Sequence, residues 1–238
     1  MTNLADIHCH LVPYVDDGAY DLEEAESLLR EQARQGVRAI CLTPHLRRGM
    51  FETSQEEIDS QVARLRSLVL EWELPLRLCD SREYHFDRTF LHCLEEGKLR
   101  PMGNGNVILV EFGRHDAEEM FQAIEIVKDA GYRPLVAHVE RYPAVRQDGK
   151  LPGELVRRGA MLQVNAGSLL GDEGLRQKWL AQRLIKEKLV TVVASDAHDM
   201  KIRRPNLADC FAILERKYGR ETADALLCAN PLSLIEDQ

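Results

Sequence analysis

Residues 5–11 read ADIHCHL, and residues 190–195 read VTVVAS before running into Asp196-Ala197-His198. Both are short apolar runs that end in residues able to ligate metals. Near-continuous apolar runs of this length are the mark of strands buried on both faces, as in a parallel sheet covered by helices. Five further segments have the same character: residues 37–43 (VRAICLT), 76–79 (LRLC), 107–112 (VILVEF), 134–139 (PLVAHV) and 161–165 (MLQVN). Amphipathic stretches separate them, and three carry a start signal in which a capping residue precedes a glutamate by three positions. Asp21-Leu-Glu-Glu24 opens a helix predicted over 23–35, Ser54-Gln-Glu-Glu57 one over 56–73, and Asp116-Ala-Glu-Glu119 one over 117–130. Gly36 and Gly131 stand where helices would end.

Strands alternating with helices predict an α/β fold. No linker, repeat or low-complexity stretch divides the chain, so one domain over residues 1–238 is the simplest organisation. An open doubly wound sheet and a closed barrel both suit this pattern. The first strand leads into Val12-Pro13-Tyr14-Val15-Asp16-Asp17-Gly18 rather than a glycine-rich phosphate loop, which removes the main support for nucleotide-binding folds.

Composition narrows the function. The 238 residues are 45% hydrophobic, enough for one sizeable core, and no apolar run approaches the ~18 residues of a membrane helix. No signal peptide is visible at the N-terminus, and six scattered cysteines form neither a disulfide framework nor a CxxC zinc pair. A cytoplasmic protein without membrane insertion is the expectation. A net charge of −8 argues against broad nucleic-acid binding, which needs a basic face.

The candidate chemistry lies at the C-terminal ends of the strands. The first ends in His8-Cys9-His10, with Asp16-Asp17 beyond; the second in Thr43-Pro44-His45; the third runs into Arg82-Glu83-Tyr84-His85. The others end in Glu111, in His138-Val139-Glu140-Arg141, and in Asp196-Ala197-His198. In a parallel barrel these ends share one face, where active sites are built. Alternation along a strand aims His8 and His10 the same way, and likewise Asp196 and His198. An isolated HxH pair is usually an ordinary core or surface pair, and a lone Asp196 reads equally as a helix cap. Six such coincidences at six strand ends point instead to a metal centre. Imidazole and carboxylate together suit Mn²⁺, Fe²⁺ or Zn²⁺, and the ligands exceed the need of one ion, so two or three ions are implied.

The series HxH, DDG, TPH, a glutamate after strand three, ILVEF, HVERY and SDAH resembles the polymerase-and-histidinol-phosphatase (PHP) family of metal-dependent phosphoesterases. Within it the chain is similar to the manganese-dependent protein tyrosine phosphatases of bacterial capsule synthesis. The likeness runs in order from Asp6 to about Pro205, with Val15-Asp16-Asp17-Gly18, Gly49-Met50-Phe51-Glu52 and His138-Val139-Glu140-Arg141-Tyr142 its most specific parts. The resemblance implies a single-domain (β/α)7 barrel, a distorted TIM barrel with the metal site at the C-terminal ends of the strands. It implies that His8, His10 and Asp196 hold a first ion, Glu83 bridges to a second completed by Glu111 and His138, and Asp17, His45 and His198 hold a third. It further implies that Arg141 binds the phosphate, with Arg203 a second candidate beside an equally plausible Arg204. The family usually has small residues before the bridging glutamate; here Ser81-Arg82 precede Glu83, so Arg82 is expected to bear on substrate access.

Such a site suits a phosphoester, because metal ions supply a nucleophile at neutral pH and neutralise a dianion that repels it. Arg141 adds a permanent two-toothed charge. A phenolate leaving group, pKa near ~10, needs little protonation; the general acid is metal-bound water or, with the third ion absent, a histidine such as His45 or His198. Arg47 and Arg48 either attract an acidic phosphotyrosine peptide or belong to a solvated loop paired to Glu52, and Tyr84 and Tyr142 either wall the pocket or pack in the core. His85, His92 and His115 fall outside the metal pattern and read as surface or helix residues. The substrate that family likeness implies is a phosphotyrosine protein, the tail of a bacterial tyrosine kinase controlling capsule or exopolysaccharide synthesis. The rivals are a small-molecule phosphomonoesterase of the histidinol-phosphatase type and a non-catalytic phosphotyrosine-binding module. An amidohydrolase lacks its bridging lysine here, since no lysine ends a strand.

Two stretches fit the C-x5-R pattern of cysteine-nucleophile phosphatases, Cys41 to Arg47 and Cys210 to Arg216. The chemistry fails in both. Pro44 cannot donate an N–H to a phosphate cradle, and Cys41 lies inside an apolar strand, where its thiol pKa rises. The second stretch lies within a helical pattern.

Overall fold

In the computed structural model, which describes residues 3–236, the strands form two hydrogen-bonded sets. One holds β1 (Leu4–Cys9), β2 (Val37–Leu42) and β4 (Arg77–Asp80). The other holds β3 (His45–Leu46), β5 (Glu83–His85), β6 (Val107–Glu111), β7 (Arg133–Val136), β8 (Met161–Asn165) and β9 (Val192–Ala194) in that order. Every pairing between these strands is parallel.

The expected second strand stops at Leu42, because Pro44 has no N–H for the ladder. It resumes as β3, while Glu83–His85, expected as a strand end, forms a strand of its own. Hydrogen bonding nevertheless runs through both breaks: the amides of Thr43, Ser81 and Glu83 donate to the carbonyls of Cys9, Leu42 and Pro44 at 3.0, 2.8 and 3.1 Å. At the far edge, the Asp196 amide donates to the His8 carbonyl (2.9 Å) and the His10 amide to the Ala197 carbonyl (2.8 Å). The sheet thus curls until the chain after β9 lies against β1.

Two apolar layers result. Ala5, Ile7, Leu109, Leu135 and Val192 belong to an inner cluster, closed at one end by Leu234 and Ile235 of the C-terminal helix Asn230–Ile235. A larger outer layer packs the sheet against helices α1 (Leu22–Arg34), α2 (Gln55–Glu71), α3 (Arg88–Glu95) and α4 (Ala117–Asp129), and against α5 (Pro143–Gln147), α6 (Leu151–Arg157), α7 (Ala166–Leu170), α8 (Leu175–Lys186) and α9 (Leu207–Tyr218). The helix starts follow the capping signals. Ser54 with Glu57, and Asp116 with Glu119, form reciprocal capping boxes. Asp21 accepts from the Glu24 amide, but the Glu24 carboxylate turns back to the Tyr20 amide instead. Gly36 and Gly131 take φ of 90° and 86°, the left-handed stop that favours glycine.

Candidate metal centre

The site begins with an irregularity in β1. From Asp6 to Cys9 the strand advances three residues while β2 advances two, Ile40 to Leu42. This bulge re-aims the chain: Ile7 packs in the inner layer, and the next residue, His8, also faces the site. Cys9 then packs outward, as the alternation of the sequence predicts, and His10 returns. The Nε2 atoms of His8 and His10 stand 3.3 Å apart.

His8, His10 and His198 are each oriented by a partner on the other ring nitrogen. His8 Nδ1 donates to Gln163 Oε1 (3.1 Å), an oxygen that also accepts from the His138 amide (2.7 Å). His10 Nδ1 donates to Asp16 Oδ2 (2.7 Å), and His198 Nδ1 to the Asp196 carbonyl (2.8 Å). The Nε2 lone pairs are thereby left facing inward. Such outer partners fix tautomer and ring angle and raise ligand basicity. Glu83, fully buried on β5, sits at the centre: its Oε2 lies 3.2, 3.3 and 3.0 Å from His8 Nε2, His10 Nε2 and His45 Nδ1, and its Oε1 lies 2.7 Å from His138 Nε2.

Three groups of candidate ligand atoms converge: His8, His10, Glu83 and Asp196; His45, Glu83 and Glu111; and His10, Asp17, His45 and His198. His138 adjoins the second through Glu83 and through Glu111 Oε2 at 4.0 Å. All nine residues expected as ligands therefore meet in one place. His45 faces two groups, with Nδ1 toward Glu83 and Nε2 3.5 Å from Asp17. Glu83 Oε2, His45 Nδ1, His138 Nδ1 and His198 Nε2 are buried with no hydrogen-bond partner. Buried unpaired lone pairs at close range are costly unless a cation lies among them. Imidazole and carboxylate donors in this arrangement fit a divalent ion of the Mn, Fe or Zn kind.

Electrostatics agree. Burial opposes charge on His8 and His10, yet Glu83 and Asp196 outweigh it at His8, and Asp16 and Glu83 at His10, holding both above the ordinary histidine range. Burial prevails at His45 and His198 and lowers them. It would raise Glu83 and Asp196, but the surrounding histidines, His8 first, pull both carboxyls far below the usual range. His138 and Asp196 also adopt left-handed backbone, φ 30° and 53°, which non-glycine residues hold only where the surroundings enforce it.

Beside these groups opens a cavity of about 290 Å³. Arg141 lines it, with Nη1 2.9 Å from Asp196 and Nε 3.6 Å from Glu173. Arg203 lines it too, bonded to Asp17 Oδ2 at 2.8 Å, whereas Arg204 turns to Asp209 and lies off the site. Arg47 borders the cavity; Arg48 is exposed and does not. Neither pairs with Glu52 among the described residues. Phe51 stacks on His45 with centroids 5.0 Å apart, so the Gly49–Glu52 turn gives the cavity an aromatic wall, to which Phe112 adds a second ring. Tyr142 both lines the cavity and is core, its hydroxyl fixed between the Ala137 carbonyl and the Phe112 amide; Tyr84 is core alone.

Three expectations need correction or completion. Arg82 does not bear on access: it is buried and donates to the carbonyls of His45 (2.7 Å) and Thr53 (3.1 Å), bracing the loop behind the site. His85 is no stray surface residue, because its Nδ1 donates to Glu111 Oε1 at 3.1 Å and orients that carboxylate. His92 is exposed on α3, as expected, while His115 is half-buried against His85. Asp16, named beside Asp17 without a role, orients His10 from six positions away, while Gln163 and Asn165, 155 and 31 positions from their partners His8 and Asp196, carried no signal in the sequence. Cys41 is buried in β2 and its thiol is pushed well above the ordinary range by that burial.

Comparison with known proteins bears on the same region. Residues 4–236 match a family model described as capsular polysaccharide synthesis, CpsB/CapC. The tyrosine-protein phosphatase CpsB of Streptococcus pneumoniae is 33% identical over 241 residues, covering 99% of each chain. One chain among the crystal structures of YwqE from Bacillus subtilis and CpsB from Streptococcus pneumoniae, described as unique metal-dependent tyrosine phosphatases, superposes with a TM-score of 0.92 at 30% identity, covering 99% of this chain and 95% of that one. A phosphotriesterase homology protein from Escherichia coli matches at TM-score 0.63 and 12% identity over 99% of both chains, a likeness of fold alone.

Proposed function

The chain belongs to the CpsB/CapC family of capsular polysaccharide synthesis, and on that premise we propose that it is a metal-dependent phosphatase of phosphotyrosine proteins. The observation that carries the reading is the convergence of His8, His10, Glu83 and Asp196 with two further ligand groups, beside Arg141 in an aromatic-walled cavity. His8, His10, Glu83 and Asp196 would hold one ion, Glu83, Glu111 and His138 a second, and Asp17, His45 and His198 a third, with manganese the proposed metal. When bound, such ions lower the pKa of a coordinated water to roughly 7 and neutralise phosphoryl charge.

The chain's own residues do the rest. Arg141 would grip two phosphoryl oxygens with its guanidinium fork, and Arg203 would add a second charge beside Asp17. Phe51 and Phe112 would flank the aryl ring, which selects a phenyl phosphate over an alkyl one. Where the third ion is absent, His198 or His45, protonated at the Nε2 that stands 3.5 Å from Asp17 in each, would deliver the proton to the leaving phenolate. Arg47 would draw in the acidic substrate from the rim.

If β2 with β3 and β4 with β5 each count as one interrupted strand, the curled sheet is a (β/α)7 barrel of the PHP type, a single domain over residues 1–238. No helix among the described residues is long and apolar enough to cross a membrane, which accords with action on a kinase tail in the cytoplasm.

The test is hydrolysis of a phosphotyrosine peptide by metal-stripped protein, before and after adding Mn²⁺, with His138→Ala and Cys41→Ala variants alongside. Activity should return with metal, survive in Cys41→Ala and fall at least about 10²-fold in His138→Ala. Activity indifferent to chelation but lost with Cys41 would overturn the reading.

A further inference from the structure

A second concavity of about 550 Å³ lies away from the metal groups, between α5 and α8. Its floor is apolar, from buried Val145 and Leu180, and its wall carries Leu175 and Trp179, which remain 81% and 65% exposed. These two stand four residues apart on α8 and so share a face, at a cost in exposed apolar surface that a monomer does not need. Arg146, Arg176 and Arg183 complete the lining, and no acidic residue does. Arg183 lies over the Trp179 ring at 5.6 Å and is 3.5 Å from Glu187. Arg146 and Arg176 have no carboxylate partner among the described residues. A chain of net charge −8 has thus gathered three cations around an exposed indole.

The elements that form the groove are joined along the chain to the phosphate side of the cavity. Tyr142, which walls that cavity, caps α5, and Val145 and Arg146 follow within one helical turn. On the other side, Glu173, just before α8, holds the Arg141 guanidinium.

We propose that this groove docks an acidic segment, bearing an apolar side chain, of the same polypeptide whose phosphotyrosine occupies the cavity; the proposal rests on the phosphatase reading above. Arg146 and Arg176 take the carboxylates, and Trp179 with Leu175 takes the apolar side chain. Charge complementarity favours this occupant over a second copy of an acidic chain.

Phosphotyrosine peptides of about twelve residues, which span ~40 Å when extended, would be made with glutamate-rich, glutamine-rich or lysine-rich flanks. The protein should prefer the acidic flank. The double variant Arg146→Glu/Arg176→Glu, altered only at exposed side chains, should lose about fivefold to tenfold in kcat/KM on the acidic peptide and come to favour the lysine-flanked one. Trp179→Ala should behave likewise on the acidic peptide, while p-nitrophenyl phosphate is hydrolysed at the parent rate by every variant. Equal losses on all flanks, no flank preference in the parent, or sedimentation showing self-association that these substitutions abolish would overturn the docking proposal. If the parent hydrolyses no aryl phosphate, the phosphatase reading fails separately. The groove is then judged by Trp179 fluorescence, which should respond to an unphosphorylated acidic peptide and not to its glutamine counterpart; no response overturns it.

Discussion

Gly18 offers a severe test of how the metal centre is held. A Cβ added there would lie 1.9 Å from the His10 carbonyl oxygen and 2.5 Å from the His10 Cβ. That oxygen cannot give way freely, since it accepts the Ala19 amide at 2.9 Å, and His10 is itself fixed by the bond from its amide to Ala197. Ordinary contact begins near 3.4 Å, so Gly18→Ala must displace the Asp16–Gly18 loop by about 1.5 Å. Asp16 Oδ2 bonds His10 Nδ1 at 2.7 Å and the His45 amide at 2.9 Å, and the shift takes both beyond hydrogen-bond range. Losing two charge-assisted bonds costs on the order of 3–6 kcal/mol, of which the stiffer unfolded chain returns ~0.4–1. With His10 loosened and Asp17 moved, Mn²⁺ affinity should fall about 10–100-fold and kcat/KM about 10²-fold. Calorimetric titration of metal into stripped protein, urea unfolding and aryl-phosphate kinetics would measure the three effects. Gly153→Ala is the control: its added methyl, on α6, meets no atom within 4 Å and should stabilise by ~0.5–1 kcal/mol. If Gly18→Ala keeps parent stability and binds metal within about twofold of the parent, the reasoning about this loop is wrong.

Two further predictions concern buried polar groups. Arg82→Ala should destabilise by about 1–3 kcal/mol in urea, because two part-buried carbonyls lose their donor; the ratio of rates on a phosphotyrosine peptide and on p-nitrophenyl phosphate should stay the same, and a changed ratio would restore Arg82 to substrate access. Glu140 is fully buried and accepts the Asn165 amide, and burial, with Glu173 adding to it, pushes its carboxyl up to about 7. A raised folded pKa stabilises fully below the unfolded value, 4.5, and that stability is lost as pH rises through about 7, some 3 kcal/mol in all. Glu140→Gln, which cannot ionise, should therefore match the parent near pH 4 and exceed it in stability at pH 8, both with chelator present; a variant no more stable than the parent at pH 8 would refute the assignment.

The sequence was most legible where chemistry is local. Capping at Asp21, Ser54 and Asp116 placed three helix starts within a residue of their observed positions, because a cap bonds its own next turn. The residues proposed as ligands were legible because all but Asp17 stand at or just beyond a strand end and those ends share a face. The partners of those residues were not. Gln163 lies 155 positions from His8, and Arg82 supports a carbonyl 37 positions away; neither is marked by its neighbours. His85 was passed over because its role depends on Glu111 of the adjacent strand.

By itself, then, the sequence determined a parallel α/β architecture, the set of imidazoles and carboxylates, and the failure of the C-x5-R alternative. Those follow from hydrophobic period, residue chemistry and the missing N–H of proline, which act within a few residues. Tertiary structure alone decided that Pro44 and the Ser81-Arg82 step split two strands, that His45 faces two ligand groups at once, that Arg203 rather than Arg204 reaches the cavity, and that a bulge aims His8 inward beside His10. Each of these depends on register between strands and on which way a side chain turns once its neighbours are packed, and register is set by contacts the chain makes only after it has folded.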